Sequence, residues 1–219
     1  MDRLSKGYDE WSSQFLSYDR RIGDHVISLS GTHHDRGSIE GEELFFSHYL
    51  SRPEGDVDLS YRLQVGDGAA WAKTGARVAV HWRAGDGWIG TVGASYRDFE
   101  SAESKSAFVE IERYVGNERF AFKIEKDVSA GADDNVRMYQ ATWSHYYDSG
   151  AQAALTLASG KELNRDFGRV LAPSEVLTVA VHGVVPLTKE VDILPALSWT
   201  KQDQAYERVT ASIGVRYKF

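Results

Sequence analysis

Cysteine is absent from the 219 residues, which excludes both a disulfide framework and a thiol nucleophile. Only four prolines occur, so no Pro-rich spacer or disordered tract interrupts the chain. No stretch approaches the roughly 18 consecutive apolar residues that a transmembrane helix requires. Positive charge is in the minority: the formal net charge is -7, which excludes the basic footprint of a nucleic-acid-binding protein and predicts no nucleic-acid partner. The N-terminus lacks a signal peptide, because Met1-Asp-Arg-Leu-Ser5 leads into no apolar h-region. A helical period of 3.6 is missing at any convincing length. What the chain has instead is 20 glycines, six tryptophans and 11 tyrosines in one domain-sized unit, residues 1–219, the composition of strands and turns.

The dominant pattern is alternation. From Arg208 to Phe219, one row carries Val209, Ala211, Ile213, Val215, Tyr217 and Phe219, and the other carries Arg208, Thr210, Ser212, Gly214, Arg216 and Lys218. This is period-2 patterning over the 9–11 or so residues that span a bilayer as a tilted strand. Val57–Val65, Ala76–Trp82, Trp88–Arg97, Phe120–Glu125, Leu177–His182 and Val191–Thr200 repeat it, and about 13 such segments can be counted at turn-punctuated spacing. The segments near Trp11–Tyr18 and Leu44–Leu50 are ambiguous in facing. A strand that shows lipid only at every second residue has ordinary mean hydropathy, so the low overall hydropathy does not argue against a membrane.

The connections alternate in length. Tight turns are expected at Arg21–Asp24, Pro53–Gly55, Gly85–Gly87, Gly116–Glu118, Asp148–Gly150 and Thr188–Glu190. Longer polar loops are expected at His33–Glu43, Asp67–Thr74, Glu100–Lys105, Ser129–Asn135, Lys161–Glu175 and Lys201–Glu207. Short on one side and long on the other is the arrangement of outer-membrane barrels, with periplasmic turns and external loops. The predicted fold is therefore all-β: an up-and-down antiparallel transmembrane β-barrel of about 12–14 strands in the outer membrane of a Gram-negative cell. An even strand number and a periplasmic C-terminus call for a strand ahead of Trp11–Tyr18. We expect that first strand to be truncated, with Met1–Glu10 as its remnant or as the first outer loop, and residues 1–219 to be the C-terminal part of a longer protein or its mature region.

The second row of each strand falls inside such a barrel. The lumen-lining candidates are Arg62, Arg77, Arg83, Arg97, Glu110, Glu112, Lys123, Glu125, Arg216 and Lys218. Glu110 and Glu112 share one face, with Lys123 and Glu125 expected on the neighbouring strand. Two inward carboxylates are compatible with acid–base chemistry, but a ladder of acids paired to bases is the simpler reading. His33-His34-Asp35 has no third or fourth ligand spaced for a metal and is read as a solvated outer loop, so neither a metal nor a cofactor is expected. His81, His145 and His182 are isolated, and no motif of an outer-membrane hydrolase surrounds them, so no catalytic residue is assigned. Trp82, Trp88, Trp143 and Trp199 lie on apolar rows as girdle residues, leaving Trp71, in an outer loop, as the one candidate sugar platform. Phe219, a terminal aromatic closing an alternating strand, looks like the membrane-assembly signal of outer-membrane proteins, recognised by the barrel-assembly machinery.

The segment Phe108-Val-Glu-Ile-Glu-Arg-Tyr-Val-Gly-Asn-Glu-Arg-Phe-Ala-Phe122 resembles the YaiO family of outer-membrane barrels, in which a Tyr-Val-Gly-Asn hairpin leads into an aromatic-rich strand. Gly87-Trp88 through Ser95-Tyr-Arg-Asp-Phe99 is similar to that family's strand ending in Tyr-Arg and Phe, and the likeness extends from about Trp11 onward. The resemblance implies an outer-membrane location and no known catalytic residues. It also implies association with exopolysaccharide synthesis or export components, with lipid bilayer and lipopolysaccharide as surroundings. The expected function is a non-enzymatic narrow pore or envelope component. The rival is an outer-membrane enzyme acting on lipid or surface polysaccharide, which converging Ser, His and carboxylate groups at one rim would favour.

Overall fold

The computed structural model describes residues 2–4, 11–36, 39–52, 55–67, 70–100, 102–129, 136–164, 172–203 and 206–218. Among them every regular element is a β-strand: β1 (Asp2–Leu4), β2 (Ser12–Ile22), β3 (His25–Asp35), β4 (Glu40–Leu50), β5 (Val57–Gly66), β6 (Thr74–Arg83) and β7 (Trp88–Asp98) in the first half. The second half adds β8 (Glu103–Val115), β9 (Glu118–Asp127), β10 (Arg137–Tyr146), β11 (Gln152–Asn164), β12 (Ala172–Pro186), β13 (Val191–Gln202) and β14 (Tyr206–Tyr217). All belong to one antiparallel sheet in which each strand from β2 to β14 pairs with its neighbours in sequence, the up-and-down order. No helix is long and apolar enough to cross a membrane.

The two ends of the sheet meet through β1. Asp2 to Leu4 pair with Thr210 to Arg208 of β14, and Asp2 exchanges main-chain hydrogen bonds of 2.7 and 3.1 Å with Trp11, at the head of β2. No ladder joins β2 directly to β14 among the described residues; the aromatic ring of Phe15 nevertheless comes to 3.5 Å from the position a Cβ on Gly214 would take. The short Asp2–Leu4 strand thus occupies the place that strand parity assigns to the segment ahead of Trp11.

Facing follows the alternation. Leu59, Leu63, Val78, Val80, Val209, Ile213, Val215 and Tyr217 are all exposed on the outer face, as are Val92, Val109, Phe122, Leu157, Val181 and Leu197. Exposing so many large apolar side chains in water would be untenable, whereas hydrocarbon welcomes them. Register also resolves the two early segments that sequence leaves open. Leu29 pairs with Phe46 and Phe46 with Leu63, which sets Leu44, Phe46, His48 and Leu50 on the outer face and Phe45, Ser47 and Tyr49 on the inner.

The loops differ from expectation. His33, His34 and Asp35 continue β3 rather than forming an outer loop, because they pair in register with Glu42, Gly41 and Glu40, and the connection shrinks to 36–39. Lys161 and Glu175 likewise pair with each other as an extension of β11 and β12 beyond the expected loop boundary, and Lys201 with Glu207 extends β13 and β14. Polar residues outside the hydrocarbon still satisfy their backbone groups by ladder pairing, so the strands outrun the hydrophobic stripe. The loop-length asymmetry is accordingly smaller in the structure than in the sequence. Phe219 lies outside the described residues.

Close packing on the wall rests on glycine at two positions. Trp82 and Gly90 are register partners, and a Cβ on Gly90 would fall 2.3 Å from the indole, which therefore lies flat across the glycine. Gly93 plays the same role inside the barrel: a Cβ there would sit 2.3 Å from the ring of Phe108, which is 5% exposed. Replacing Gly93 by alanine should tilt that ring and destabilise the barrel by about 1–3 kcal/mol, read as a fall in the urea midpoint.

Candidate functional site

The inner faces of β5 to β9 carry long charged side chains, because each of these strands places at least one Arg, Lys, Glu or Asp between its lipid-facing residues, among serine, glycine and alanine. Their pairing is dense. Arg119 donates from Nε to Glu112 Oε2 at 2.5 Å and lies 3.6 Å from Glu110. Lys123 Nζ donates to Glu125 Oε2 at 3.1 Å, Ser106 Oγ donates to the other oxygen at 2.7 Å, and Arg77 stands off at 3.9 Å. Register explains this convergence: Glu110 faces Lys123 and Phe108 faces Glu125 across the β8–β9 hairpin.

Toward the short-turn end, Asp58 is 5% exposed and accepts hydrogen bonds from Tyr49 (2.7 Å), the Arg52 main chain (2.9 Å) and Arg83 (3.1 Å). Arg83 also donates to the carbonyls of Arg52 and Gly55, tying the β4–β5 turn to the wall. A second anchor holds the last strand. Asp192 is wholly buried and accepts from Arg216 Nε at 2.7 Å, with Lys218 Nζ 2.8 Å away. The structure thus gathers Arg77, Glu110, Glu112, Lys123 and Glu125 into one cluster and places Arg83, Arg216 and Lys218 in separate ion pairs.

The remaining two candidates, Arg62 and Arg97, make no ion pair among the described residues. Arg62 donates from Nε to Ser47 Oγ at 3.0 Å and stacks 5.7 Å from the centroid of Phe45. They line, with Arg77, Gln64 and Ser95, a cavity of about 200 Å³. A second cavity of about 210 Å³ opens beside Glu110, Arg119, Lys123, Gln140, Ser144 and His182.

The inner wall from β10 to β13 is built differently. Thr142 and Thr156 are hydrogen-bonded at 3.1 Å, and Thr178 and Thr200 at 3.0 Å. Ser144, Ala154, Ala158, Ala180, Ala196 and Ser198 fill the positions around them by register. With Gln140, Gln152 and His182 this wall is polar, and apart from the Asp192 anchor it carries none of the long cations of β5 to β9 among the described residues.

At the long-loop end an aromatic–cationic cluster fastens both ends of the sheet. The Arg36 guanidinium lies 4.4 Å from the ring of Trp11 and 5.0 Å from that of Trp71, and Arg208 stacks 5.6 Å from Trp11, which meets Tyr206 edge-on. Burial, and then the neighbouring Arg208 cation, hold the Arg36 guanidinium below its ordinary pKa. Trp71 is 5% exposed, stacked on His34 at 5.0 Å and fitted against Gly41, where a Cβ would fall 2.3 Å from its ring. It is a packing residue, and both faces of its indole are taken, so the expected open sugar platform is absent there.

The histidines separate by environment. His34 meets Glu43 at 3.0 Å and His33 meets Glu42 at 3.6 Å, on opposite faces of β3. Among the described residues no group of three or more side chains is placed to hold a metal. His145 is held by Glu118 at 2.6 Å on the outer face. His81 stands between Ser60 Oγ and Thr91 Oγ1, 2.9 Å from each, so a Ser–His contact exists, with a hydroxyl where a hydrolase triad places a carboxylate or amide. It sits on the inner wall toward the short-turn end, as the register partner of Asp58, whose carboxylate is taken by Tyr49, Arg52 and Arg83.

Sequence reasoning missed Arg119, Tyr49 and Asp192's role as an anchor. Extending the Phe120/Phe122 alternation one residue toward the turn would have placed Arg119 inward, near Glu112.

Comparison with solved structures gives the same architecture. A bacterial polysaccharide outer membrane secretin superposes with a TM-score of 0.58 at 10% identity, covering 95% of this chain and 81% of that one. The KdgM porin superposes at 0.52 and 11% identity over 96% of this chain and 99% of the porin. The KdgM porin in complex with disordered oligogalacturonate gives 0.51, again at 11% identity, over 95% and 99%. At such identities the likeness is one of fold. No curated protein matches the sequence. The model of the YaiO membrane beta barrel domain matches residues 1–162, the greater part of the chain, and with the fourteen-strand sheet and its lipid-facing apolar rows this settles the family: the chain belongs to the YaiO membrane β-barrels and is an outer-membrane protein.

Proposed function

We propose that the barrel is a narrow, non-catalytic, water-filled pore of the outer membrane that serves polysaccharide export. The observation that carries this reading is the charge ladder of β5 to β9. Glu112, Glu125 and Asp58 are committed to arginine and lysine partners or to several donors at once, as a structural ladder requires and a general base does not. In this reading Arg62, Arg77, Arg83, Arg97, Glu110, Glu112, Lys123 and Glu125 line the lumen. Arg216 and Lys218 close it toward the periplasm. The partners are lipopolysaccharide around the apolar rows, the barrel-assembly machinery acting on Phe219, and export components at the periplasmic mouth. A bacterial polysaccharide outer membrane secretin and a KdgM porin in complex with disordered oligogalacturonate among the structural neighbours support that choice.

Reconstituted in a planar bilayer, the folded protein should give small, discrete conductance steps. Folded, membrane-inserted protein without conductance above the bare bilayer would remove the pore reading.

The Ser60–His81–Thr91 contact favours a second reading, a hydrolase within the barrel. A serine-directed fluorophosphonate discriminates. The pore reading requires no covalent labelling, and labelling lost in the Ser60→Ala variant would establish the hydrolase.

A further inference from the structure

Arg62, Arg77 and Arg97 come from three successive strands, and Arg62 and Arg77 are direct register partners across β5 and β6. Like charges directly opposed on one face destabilise a sheet, so the arrangement needs compensation. Little is present. Arg77 reaches Glu125 only at 3.9 Å, and that carboxylate already holds Lys123 at 3.1 Å and Ser106 at 2.7 Å. Arg62 and Arg97 have no ion pair among the described residues.

The cations are also presented rather than folded away. Arg77 sits over Phe108, 3.9 Å from the ring centroid, and the ring is itself seated by Gly93. Arg62 rests on Phe45 and Arg97 on Phe99, each 5.7 Å from the centroid. Stacking on an aromatic face positions a guanidinium while leaving its in-plane N–H groups directed outward, where they match the two oxygens of a carboxylate or phosphate. Gln64, Ser95 and the paired Glu125 complete the cavity wall, with Gln64 Nε2 donating to Glu43 and Ser95 Oγ bonded to Ser106 Oγ, and Gly75 keeps the wall open, since a Cβ there would fall 3.0 Å from Gln64 Oε1. At about 200 Å³ the cavity is smaller than the pockets that enclose a drug-sized ligand, and suits one acidic group on a passing chain.

We propose that Arg62, Arg77 and Arg97 form an oxyanion station, which binds the carboxylate or phosphate of an acidic saccharide in transit. The station rests on the pore reading for its purpose, but its binding is measurable without it. Three probes are titrated calorimetrically against the full chain, folded in detergent: a short hexuronate oligomer, glucose 6-phosphate and maltotriose. The same solutes are applied as blockers in the bilayer.

The acidic probes should bind, with affinity falling as ionic strength rises, and maltotriose should not. The tighter of the two acids identifies carboxylate or phosphate as the natural group. The double variant Arg62→Gln/Arg97→Gln should weaken binding by about tenfold or more and bring the anion-to-cation permeability ratio toward one. Arg62→Lys/Arg97→Lys keeps both charges, and with them the anion preference, but should lose the greater part of the affinity because ammonium groups cannot grip bidentately. Equal affinity in wild type and the Gln pair, each shown folded by heat-modifiable gel mobility, overturns the station, as does maltotriose binding as well as the acids. Acid binding without any conductance removes the pore reading and leaves the station standing.

Discussion

Replacing Asp192 by alanine is expected to abolish most of the heat-resistant, fast-migrating form of the protein. The side chain is wholly buried and holds both Arg216 and Lys218, which are themselves about half exposed, so its removal unfastens both cations from the inner wall. What is lost is a charge-assisted tie between two strands, stronger than a neutral hydrogen bond. The position matters as much as the chemistry. Asp192 and Arg216 are register partners in the β13–β14 hairpin, so this contact fixes the last strand against its neighbour. Asp192→Asn, which keeps the shape and one acceptor, should retain an intermediate fraction of the folded form. If the alanine variant is as heat-resistant as the parent, the last strand is held by its ladder and lipid-facing row alone.

The second large effect concerns facing, and is tested by two adjacent residues. Leu197 is half-exposed on the outer face of β13, while Ser198 points to the hydroxylated inner wall, opposite Ala180 and Thr210. Near the middle of the membrane an arginine on the lipid face costs about 2–4 kcal/mol. Leu197→Arg should therefore lower the unfolding free energy in phospholipid vesicles by about that amount, whereas Ser198→Arg should cost much less. Urea titration followed by tryptophan fluorescence reads both. Equal penalties, or a larger one at Ser198, would contradict the inner and outer assignment of the whole sheet.

The distribution of legible and illegible features follows from what a strand exposes to inspection. Val209 to Tyr217 could be assigned outward from residue type alone, because a one-residue slip would place Arg216 in hydrocarbon. The same logic could not foresee that Lys161 pairs with Glu175 or that His33 to Asp35 remain in β3. Beyond the apolar stripe both strand and loop are polar, and only the ladder distinguishes them. Ion pairs within one hairpin, such as Lys123 with Glu125 and Arg119 with Glu110, were partly readable, since the Gly116-Asn117 turn fixes the register. The Asp58 site was not readable. It draws Tyr49 and Arg52 from one side of a turn and Arg83 from another hairpin, a convergence set by three strands at once. Trp71 shows the limit most plainly. Its position between two strands suggested an open ring, but Gly41 leaves a slot into which the indole sinks, with His34 and Arg36 against it.

The unequal walls carry a consequence for anything that travels through the barrel. Arginine, lysine and glutamate reach far from the backbone of β5 to β9, while threonine, serine and alanine on β10 to β13 reach little, so on the pore reading the free bore lies toward the hydroxylated side. On that reading a thread passing along it meets hydroxyl groups on one flank and guanidinium groups on the other. Such a bore is sided: a polymer bearing its acidic groups along one edge travels with that edge turned to β5–β7, and one that alternates them must rotate about its own axis at every repeat.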